Sequence, residues 1–407
     1  METRVSIHKL LIALTTALVA ASCATTPGTV NDPNQRLGIV IDAGSSGSRM
    51  HVYRLSGQGP IMVTAATTPG TSGDPWVEKT SPGLSSHAQT PDTAGDSLLP
   101  LLDKARAHIK DTGAVQVHVQ ATAGLRLLPA DTQKAILDDV RQAIEEAGFA
   151  PGRLEVITGD REALYAWMSV NALLERLDGQ QPTVGVLDLG GASTQIIFAT
   201  DKPPLQSAKS VQIGANTIDL YAHSHLGFGQ DQAFERVASA ACVNTGYTWQ
   251  RDGLPDIDGA GDFQACRKAI EADLERPACA NPPCASMGVH QPPMSGDFVA
   301  ISGYFYTAGF HNMEDKPLNL DALAQAGQTL CDTPWDELTQ QHPDMPTQYL
   351  HRYCFNTAYI GALLTTGFGF DPQTSTITAR DHINNTELGW TLGAMMVLAN
   401  ATGVGRP

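Results

Sequence analysis

Two distant stretches of the chain share a residue pattern that suits phosphate binding. Residues 37–55 and 184–199 each contain an apolar run that ends in Asp, a short loop of small residues, and a second alternating apolar run. This pattern predicts a strand, a tight loop and a second strand. In the loops 44–47 and 190–193, consecutive amides could converge on an anion without obstruction by bulky side chains. The pair indicates two facing lobes with a phosphorylated ligand between them.

Asp42 and Asp188 lie at the mouths of these loops, where a bound phosphate would repel their charges unless a cation intervened. We expect the two carboxylates to face each other across the cleft and to hold a hydrated Mg²⁺ or Ca²⁺, which keeps waters and takes few direct protein ligands. A single loop of this kind is as readily a plain hairpin turn. Two matching loops, each preceded by an apolar strand, favour the functional interpretation.

Three further side chains occupy positions that suit phosphate chemistry. Thr122 follows a strand in a loop of small residues, so its hydroxyl could bind a metal-bound water or a phosphate. Arg126 could reach phosphate as a forked donor, although a structural turn is the better interpretation of this segment taken alone. Glu162 lies in the first turn of a predicted helix, where a lone Glu is usually a surface residue favoured by the helix dipole. Next to the first loop, it could instead accept a proton from water aligned with the terminal phosphate.

The elements that carry these residues alternate between strands and helices, which is typical of an α/β lobe with covering helices. After the first hairpin, residues 64–95 are rich in Thr, Ser, Pro and Gly, and we expect irregular loop there. The predicted elements that follow are a helix containing Leu98–Ile109, a strand containing Val115–Val119, a helix over 132–147, a strand over 154–158 and a helix over 161–177.

The second hairpin begins a second lobe at about residue 184. Residues 240–296 are rich in Gly, Pro and Cys and match no simple pattern. Residues 298–302 indicate a strand and 349–366 a helix. The apolar segment 388–400 is too short to span a membrane, so we expect a buried helix that crosses back to the first lobe.

Length and charge narrow the classes of protein to be considered. The chain has 407 residues, enough for two domains of ordinary size. Its formal net charge of −16 disfavours a nucleic-acid-binding surface and adds to the need for a cation beside a bound phosphate. No internal apolar run is long enough to span a bilayer. We expect no nucleic-acid partner and a monomeric protein.

The N-terminus is typical of an export signal. Arg4 and Lys9 lie near the start of an apolar run, and Ala20–Cys23 resembles the box at which bacterial lipoprotein signals are cleaved. We predict a signal peptide over 1–22, a lipid on Cys23 and a flexible tether over 23–36. The protein would then be periplasmic or anchored to the outer membrane. An ordinary signal peptide with an incidental Cys23, and hence plain secretion, is the alternative.

The remaining cysteines are even in number and lie in the second half of the chain. They are Cys242, Cys266, Cys279, Cys284, Cys331 and Cys354. An even number in an exported protein indicates disulfides, and pairing of sequence neighbours is the simplest of the many possible arrangements. Metal binding is the rival interpretation, which the absence of any Cys-x-x-Cys spacing disfavours.

Several motifs occur in the order found in the nucleoside triphosphate diphosphohydrolases, or apyrases, and the chain resembles this family over roughly residues 37–400. The motifs are IDAGSSGSRMHVY, ATAGLRLL, TGDREALYAW, DLGGASTQI, the looser SGYFYTAGF, RYCFNTAYI and LGWTLGAMMVLAN. The resemblance implies an α/β fold with two RNase H-like lobes of the actin, sugar-kinase and chaperone type, and an active-site cleft between them. It also implies divalent-cation-dependent hydrolysis of nucleoside tri- and diphosphates to the monophosphate and phosphate, by in-line attack of an activated water.

The resemblance further implies roles in the reaction itself. Glu162 matches the family's general base, and Ser193 and Gln195 match residues that orient the attacking water. Tyr359 falls where an aromatic ring stacks on the nucleobase. Arg161 stands where many members have a second Glu, which puts the orientation of Glu162 in doubt.

The remaining matched positions bind metal or phosphate. Asp42, Asp188 and Thr122 match groups that hold the cation, largely through water. Arg49 resembles an arginine of the branch that includes soluble and bacterial members. The positions matched to phosphate binding are Ser45, Ser46, Gly47, Ser48, Arg49, Thr122, Gly190, Gly191 and Ala192.

The lobes are assigned as 37–165 together with the C-terminal helix 385–407, and 166–384 with the disulfides. Two other functions compete with the apyrase interpretation. Exopolyphosphatases and guanosine pentaphosphatases share the two-loop plan, but they would favour a long basic anion channel. Nucleotide-gated binding proteins of the actin or chaperone kind share the fold, yet they work where cytosolic nucleotide is plentiful, and the export signal argues against that.

Overall fold

A computed structural model of the chain describes residues 12–14, 36–57, 61–202, 208–213, 216–275, 279–280, 282–285, 287–371 and 374–401. The predicted signal peptide and tether, including Cys23, lie outside these residues except for 12–14 and Arg36. None of the described helices combines the length and the apolar composition that a membrane crossing requires.

Strands are distributed along the whole described chain. In order they are β1 Ile12–Leu14, β2 Arg36–Ala43, β3 Ser48–Ser56, β4 Met62–Ala65, β5 Val77–Thr80, β6 Gln116–Ala121, β7 Ala150–Val156, β8 Gly185–Leu189, β9 Ser193–Ala199, β10 Ala208–Ile213, β11 Asn216–Leu226, β12 Thr248–Trp249, β13 Ile257–Asp258, β14 Gly296–Ser302, β15 Ser375–Ala379, β16 His382–Ile383 and β17 Thr386–Glu387.

Helices lie between groups of these strands and at the end of the described chain. In order they are α1 Leu99–His108, α2 Ala123–Arg126, α3 Ala130–Glu146, α4 Gly159–Leu173, α5 Gln230–Val237, α6 Phe263–Leu274, α7 Gly303–Phe310, α8 Leu320–Asp332, α9 Trp335–Gln341, α10 Thr347–Leu350, α11 Tyr353–Ala362 and α12 Thr391–Ala401.

The chain forms two compact units. The first comprises Met1–Val184, Gln195–Ser224 and His382–Pro407, and the second comprises Gly185–Thr194 and His225–Asp381. The lobe boundary expected at residue 165 falls inside helix α4. This helix lies wholly in the first unit. The C-terminal helix α12 belongs to the first unit, although it is distant from most of that unit in sequence.

The first unit is built on a mixed sheet in the order β4-β3-β2-β6-β7, with β5 also paired to β3. Strands β2 and β3 form an antiparallel hairpin, while β2, β6 and β7 run parallel. Alternate side chains such as Ile39 and Ile41 pack with α1 and α3 in one hydrophobic core. Helix α12 packs against β2 and α4. The sequence pattern thus correctly predicted strands with covering helices.

Residues 64–95 are more regular than the sequence predicted. Met62–Ala65 and Val77–Thr80 are strands, and each pairs antiparallel with β3. Short edge strands carry weak local patterns because their stability comes largely from the partner strand. The prediction of irregular loop was therefore wrong for these two segments.

In the second unit, β8, β14 and β15 form a parallel arrangement, as βα connections require. The register places Asp188 on β8 beside Ile301 on β14. Within this unit the three strands are neighbours in the order β8-β14-β15 of one sheet. The predicted strand at 298–302 is confirmed as part of β14. The two sheets and their helices confirm the α/β fold class.

Three disulfides lie in the second unit and confirm the pairing of sequence neighbours. The bonded pairs are Cys242–Cys266, Cys279–Cys284 and Cys331–Cys354. Within the unassigned region 240–296, the chain forms α6 and the short strands β12 and β13. The single helix expected over 349–366 is divided, because a turn at His351–Arg352 separates α10 from α11.

Candidate active site

The first glycine loop, residues 44–47, joins β2 to β3. The Gly44 amide donates to the Gly47 carbonyl over 2.9 Å and closes the turn. The amides of Ser45, Ser46 and Gly47 have no acceptor in the described part of the chain. Consecutive unpaired amides in a turn form a concave site for an anion.

The second glycine loop, residues 190–192, repeats this geometry between β8 and β9. The Gly190 amide donates to the Ser193 carbonyl over 3.0 Å. The loop carbonyls accept from the start of α5, since the Gln230 amide bonds to Gly190 and the Asp231 amide to Gly191, each over 2.9 Å. The amides of Gly191 and Ala192 have no acceptor among the described residues. Both loops therefore offer adjacent amide donors, as the sequence predicted.

Close backbone packing holds each loop in place. A Cβ added at Gly83 would lie 2.5 Å from the Gly44 carbonyl oxygen, and one added at Gly124 would lie 2.8 Å from the Ser45 Cα. In the second unit, a Cβ on Gly229 would overlap the amides of Ala192 and Ser193. Only glycine permits such approaches, so the loop shapes depend on residues outside the loops.

Asp42 and Thr122 lie together at the carboxyl ends of β2 and β6. Asp42 stands in register with Arg49 on β3 and with Gln120 on β6. The Thr122 amide donates to the Ala43 carbonyl over 3.1 Å, which brings the buried Thr122 to the start of the first glycine loop. The structure thus groups one predicted metal-binding carboxylate with the predicted hydroxyl.

Ser48, at the end of the first glycine loop, is 1% exposed. Its Oγ has no hydrogen-bond partner among the described residues. A buried hydroxyl without a partner is costly, so this position suits a site that an oxyanion or an ordered water completes.

Glu162 lies one turn into α4, in the first unit. The helix begins after Thr158, whose side chain accepts from the Arg161 amide over 3.3 Å. Glu162 is 7% exposed, and its Oε2 accepts from Arg126 Nη2 in an ion pair. The forked donor predicted for phosphate therefore binds the candidate base in this structure. Arg161 points elsewhere, since it donates to Glu155 over 3.0 Å.

A further residue, Ser224 on β11, connects this ion pair to Gln195. Arg126 Nη1 lies 3.5 Å from Ser224 Oγ, and Gln195 Nε2 donates to the same oxygen over 3.2 Å. Gly159 makes room for the arrangement, because a Cβ there would overlap Ser224 and Arg126. The sequence analysis missed Ser224, which lies in an ordinary strand pattern with no motif signal.

Asp188 and Ser193 are buried in the second unit, beside the second glycine loop. The hydroxyl of Thr194 donates to the Asp188 carbonyl over 2.8 Å and lies 3.5 Å from the Tyr304 hydroxyl. Burial raises the pKa of Tyr304, and the nearby Asp188 charge raises it further. Tyr304 therefore stays a neutral hydroxyl near this end of β8.

Tyr359, the predicted base-stacking residue, is 1% exposed on α11. Its hydroxyl donates to the Phe228 carbonyl over 2.6 Å, and its ring stacks on Phe355 with centroids 5.4 Å apart. A nucleobase needs an open ring face, so the role of Tyr359 stays a prediction that this burial does not support.

The predicted site residues therefore fall into two groups, one in each unit. No group of three or more His, Cys, Asp or Glu side chains in the described chain could hold a metal ion. The first unit holds Asp42, Ser45, Ser46, Gly47, Ser48, Arg49, Thr122, Glu162 and Gln195, and the second holds Asp188, Gly190, Gly191, Ala192, Ser193 and Tyr359.

Comparison with known proteins agrees with this arrangement of motifs. Residues 29–406 match the GDA1/CD39 (nucleoside phosphatase) family. The chain is 31% identical over 401 residues to probable apyrase 4 of Arabidopsis thaliana, covering 88% of this chain and 78% of the relative.

Solved structures show the same fold. Nucleoside triphosphate hydrolases from Neospora caninum give a TM-score of 0.64 at 18% identity, covering 91% of this chain and 93% of that one. A Ppx/GppA family member from Aquifex aeolicus gives 0.53 at 15% identity, covering 92% and 100%. At these identities the likeness shows the fold alone, and it confirms the predicted actin-like superfold.

Proposed function

The chain belongs to the GDA1/CD39 (nucleoside phosphatase) family, and we propose that it hydrolyses nucleoside tri- and diphosphates to the monophosphate and inorganic phosphate. The observation that carries this proposal is the repeated loop geometry, in which two glycine loops each present adjacent free amides. Adjacent amides in two loops suit successive phosphates of one polyphosphate chain. The buried Glu162, which is paired with Arg126, supplies a base for water.

The candidate ligands for a cation are oxygen atoms, which hard divalent ions prefer. Asp42 and Thr122 in one unit and Asp188 in the other would hold Mg²⁺ or Ca²⁺, largely through water and together with the substrate phosphates. The Ser48 hydroxyl, which has no partner among the described residues, is a further oxygen at the end of the first glycine loop. When bound, the ion would neutralise charge on the phosphate chain.

In the proposed reaction, several residues of this chain position the phosphates and the attacking water, and one residue accepts a proton. The transition state for phosphoryl transfer is loose and spreads charge over the equatorial oxygens. The loop amides stabilise that charge, and Ser193 and Gln195 orient the attacking water. Glu162 accepts the proton from this water as the bond to the leaving phosphate breaks. No covalent intermediate is needed.

Arg126 and Ser224 serve as positioning residues in this proposal. Arg126 pairs with Oε2 of Glu162 and thereby fixes the orientation of the carboxylate that receives the proton. Ser224 holds Arg126 and the amide of Gln195 at the same oxygen atom. The base and one water-orienting group are thus kept in a common arrangement.

Phosphate release from ATP, ADP, GDP, UDP and polyphosphate, with Mg²⁺ or Ca²⁺, tests the proposal. We expect continuous turnover of the nucleotides and little release from polyphosphate. Faster release from polyphosphate would favour an exopolyphosphatase, whose family shares the fold at low identity. A single slow turnover that waits for a partner would favour a nucleotide-gated binding protein.

The place of action is proposed to be outside the cytoplasm. Three disulfides form in the second unit, and disulfides persist in oxidising compartments. With the N-terminal pattern, this supports export, with Cys23 as the lipid-bearing residue of a periplasmic or outer-membrane protein. Mass analysis of the membrane fraction distinguishes lipidation from plain secretion, because a soluble product with an unmodified Cys23 would exclude the lipid.

A further inference from the structure

The first unit contains a cavity, which we call the distal pocket, at the opposite end of β6 from Thr122. Its volume is about 470 Å³, and its lining includes Gln116, His118, Arg141, Arg153, Leu154 and Leu398. Gln116 begins β6 and Thr122 follows its last residue. A strand of this length separates its ends by roughly 15–20 Å. The distal pocket is therefore a separate site from the first glycine loop.

The charged groups that line the distal pocket are both cationic, in a chain of net charge −16. Arg141 on α3 has no ion-pair partner among the described residues, and its side chain is exposed. Arg153 on β7 is about half exposed, and its one ion-pair partner among the described residues is Glu155, with Nε 3.9 Å from the carboxylate. Two guanidinium forks in one concave place are suited to an oxyanion.

His118 adds a third donor from another element. It is 7% exposed, and its Nδ1 accepts from the Arg153 amide over 2.9 Å. Burial lowers the pKa of His118 to about 4, so the ring is neutral near pH 7. Because Nδ1 is an acceptor, Nε2 carries the hydrogen in the neutral ring. No acceptor for Nε2 occurs in the described chain.

We propose that the distal pocket binds a phosphate group through Arg141, Arg153 and the Nε2–H of His118. The three donors come from α3, β7 and β6, which suits a tetrahedral anion with acceptors on every side better than a planar carboxylate. Leu154 and Leu398 supply an apolar wall for whatever the phosphate is attached to. Free orthophosphate and the headgroup of an anionic phospholipid share this chemistry.

The test follows the His118 ring nitrogens by NMR during a titration of the full-length, metal-free protein with orthophosphate. The resonance is identified by its loss in His118→Asn. We expect Nε2 to shift in the parent and in the matched control Arg106→Gln, an exposed arginine of α1. The double variant Arg141→Gln/Arg153→Gln should bind orthophosphate roughly tenfold or more weakly at this nitrogen.

A second titration uses vesicles of phosphatidylcholine, with or without phosphatidylglycerol. A shift with orthophosphate assigns a soluble ligand, whereas binding to phosphatidylglycerol vesicles that the double variant loses assigns a lipid headgroup. If neither probe moves the His118 resonance, or if the double variant responds like the parent, the proposal is wrong. ATP hydrolysis by the same samples reports on the proposed function separately, and the double variant should retain it.

Discussion

At the scale of single residues, the ion pair between Glu162 and Arg126 is the centre of the candidate site. A carboxylate that is buried and held by a guanidinium has its orientation set before substrate arrives. The same contact explains why Arg126 is not simply a phosphate ligand in this structure. Glu162 is thus presented as a positioned base rather than as a surface residue at a helix start.

Replacing Glu162 with Gln tests the base directly. Gln keeps the size and can still accept from Arg126, so we expect the fold to be retained while turnover of ATP falls roughly 10²–10⁴-fold. The measurement is kcat for ATP, with circular dichroism to monitor folding. A variant as active as the parent would remove Glu162 from the role of base.

Ser224→Ala tests the positioning role of the shared hydroxyl. Loss of the oxygen removes one acceptor from both Arg126 and Gln195, and we expect kcat to fall about tenfold while KM changes little. Glu162→Gln/Ser224→Ala should lose no more than Glu162→Gln alone if Ser224 acts through the base. Ser210→Ala, at an exposed position on β10, is the matched control and should behave as the parent.

Most of the candidate site could be predicted residue by residue, but not all of it. Asp42, Glu162 and the glycine loops lie in contiguous motifs, where spacing alone implies a strand end or a helix start. Ser224 is 98 residues from Arg126 and 29 residues from Gln195 in sequence, so no local pattern marks it. Tyr359 was matched by motif. Its burial, however, depends on packing against residues outside the motif, so the motif alone could not predict it.

At the scale of elements, the loops depend on glycines that lie on neighbouring segments. Gly229→Ala should displace the second glycine loop, because the new methyl group would meet backbone amides that cannot rotate away. We expect kcat/KM for ATP to fall roughly tenfold or more. Gly389→Ala, where a Cβ would meet open space, is the control. Equal kinetics for both variants would show that the loop tolerates the shift.

The longer elements were predicted well and the edge strands poorly, for a physical reason. Helix α3 and the two hairpins carry their apolar periodicity within themselves, and α12 is a continuous apolar run. The strands β4 and β5 are stabilised by their pairing with β3. The sequence of a short edge strand does not reveal its partner. The helix break at His351–Arg352 also involves a residue that is distant in sequence, because Arg352 pairs with Asp231 over 2.6 Å.

At the scale of the whole molecule, an acidic protein must hold an anionic substrate. We expect EDTA to abolish hydrolysis and added Mg²⁺ or Ca²⁺ to restore it, because Asp42, Asp188 and the phosphates would otherwise repel one another. Phosphate release measured after dialysis and after each addition tests this. Full activity in the metal-free sample would rule out the proposed role of both carboxylates.

Stability should fall when the pH is lowered from about 6.5 towards 4. Burial lowers the pKa values of His51, His118 and His311 to about 4, against 6.5 for an exposed histidine. In this window the unfolded chain binds protons that the native chain does not, so the free energy of unfolding decreases with decreasing pH, by at most about 1.4 kcal/mol per pH unit for each histidine. Urea unfolding at several pH values measures the slope. His118→Asn should make this slope less steep.

Helix α12 has a consequence for how much of the chain the enzyme can lose. Gly393 donates to the Ser169 hydroxyl over 2.8 Å, so α12 packs on the helix that bears Glu162. A polypeptide truncated before residue 391 lacks this support for α4 and β2. We expect such a truncated product to be hydrolytically silent.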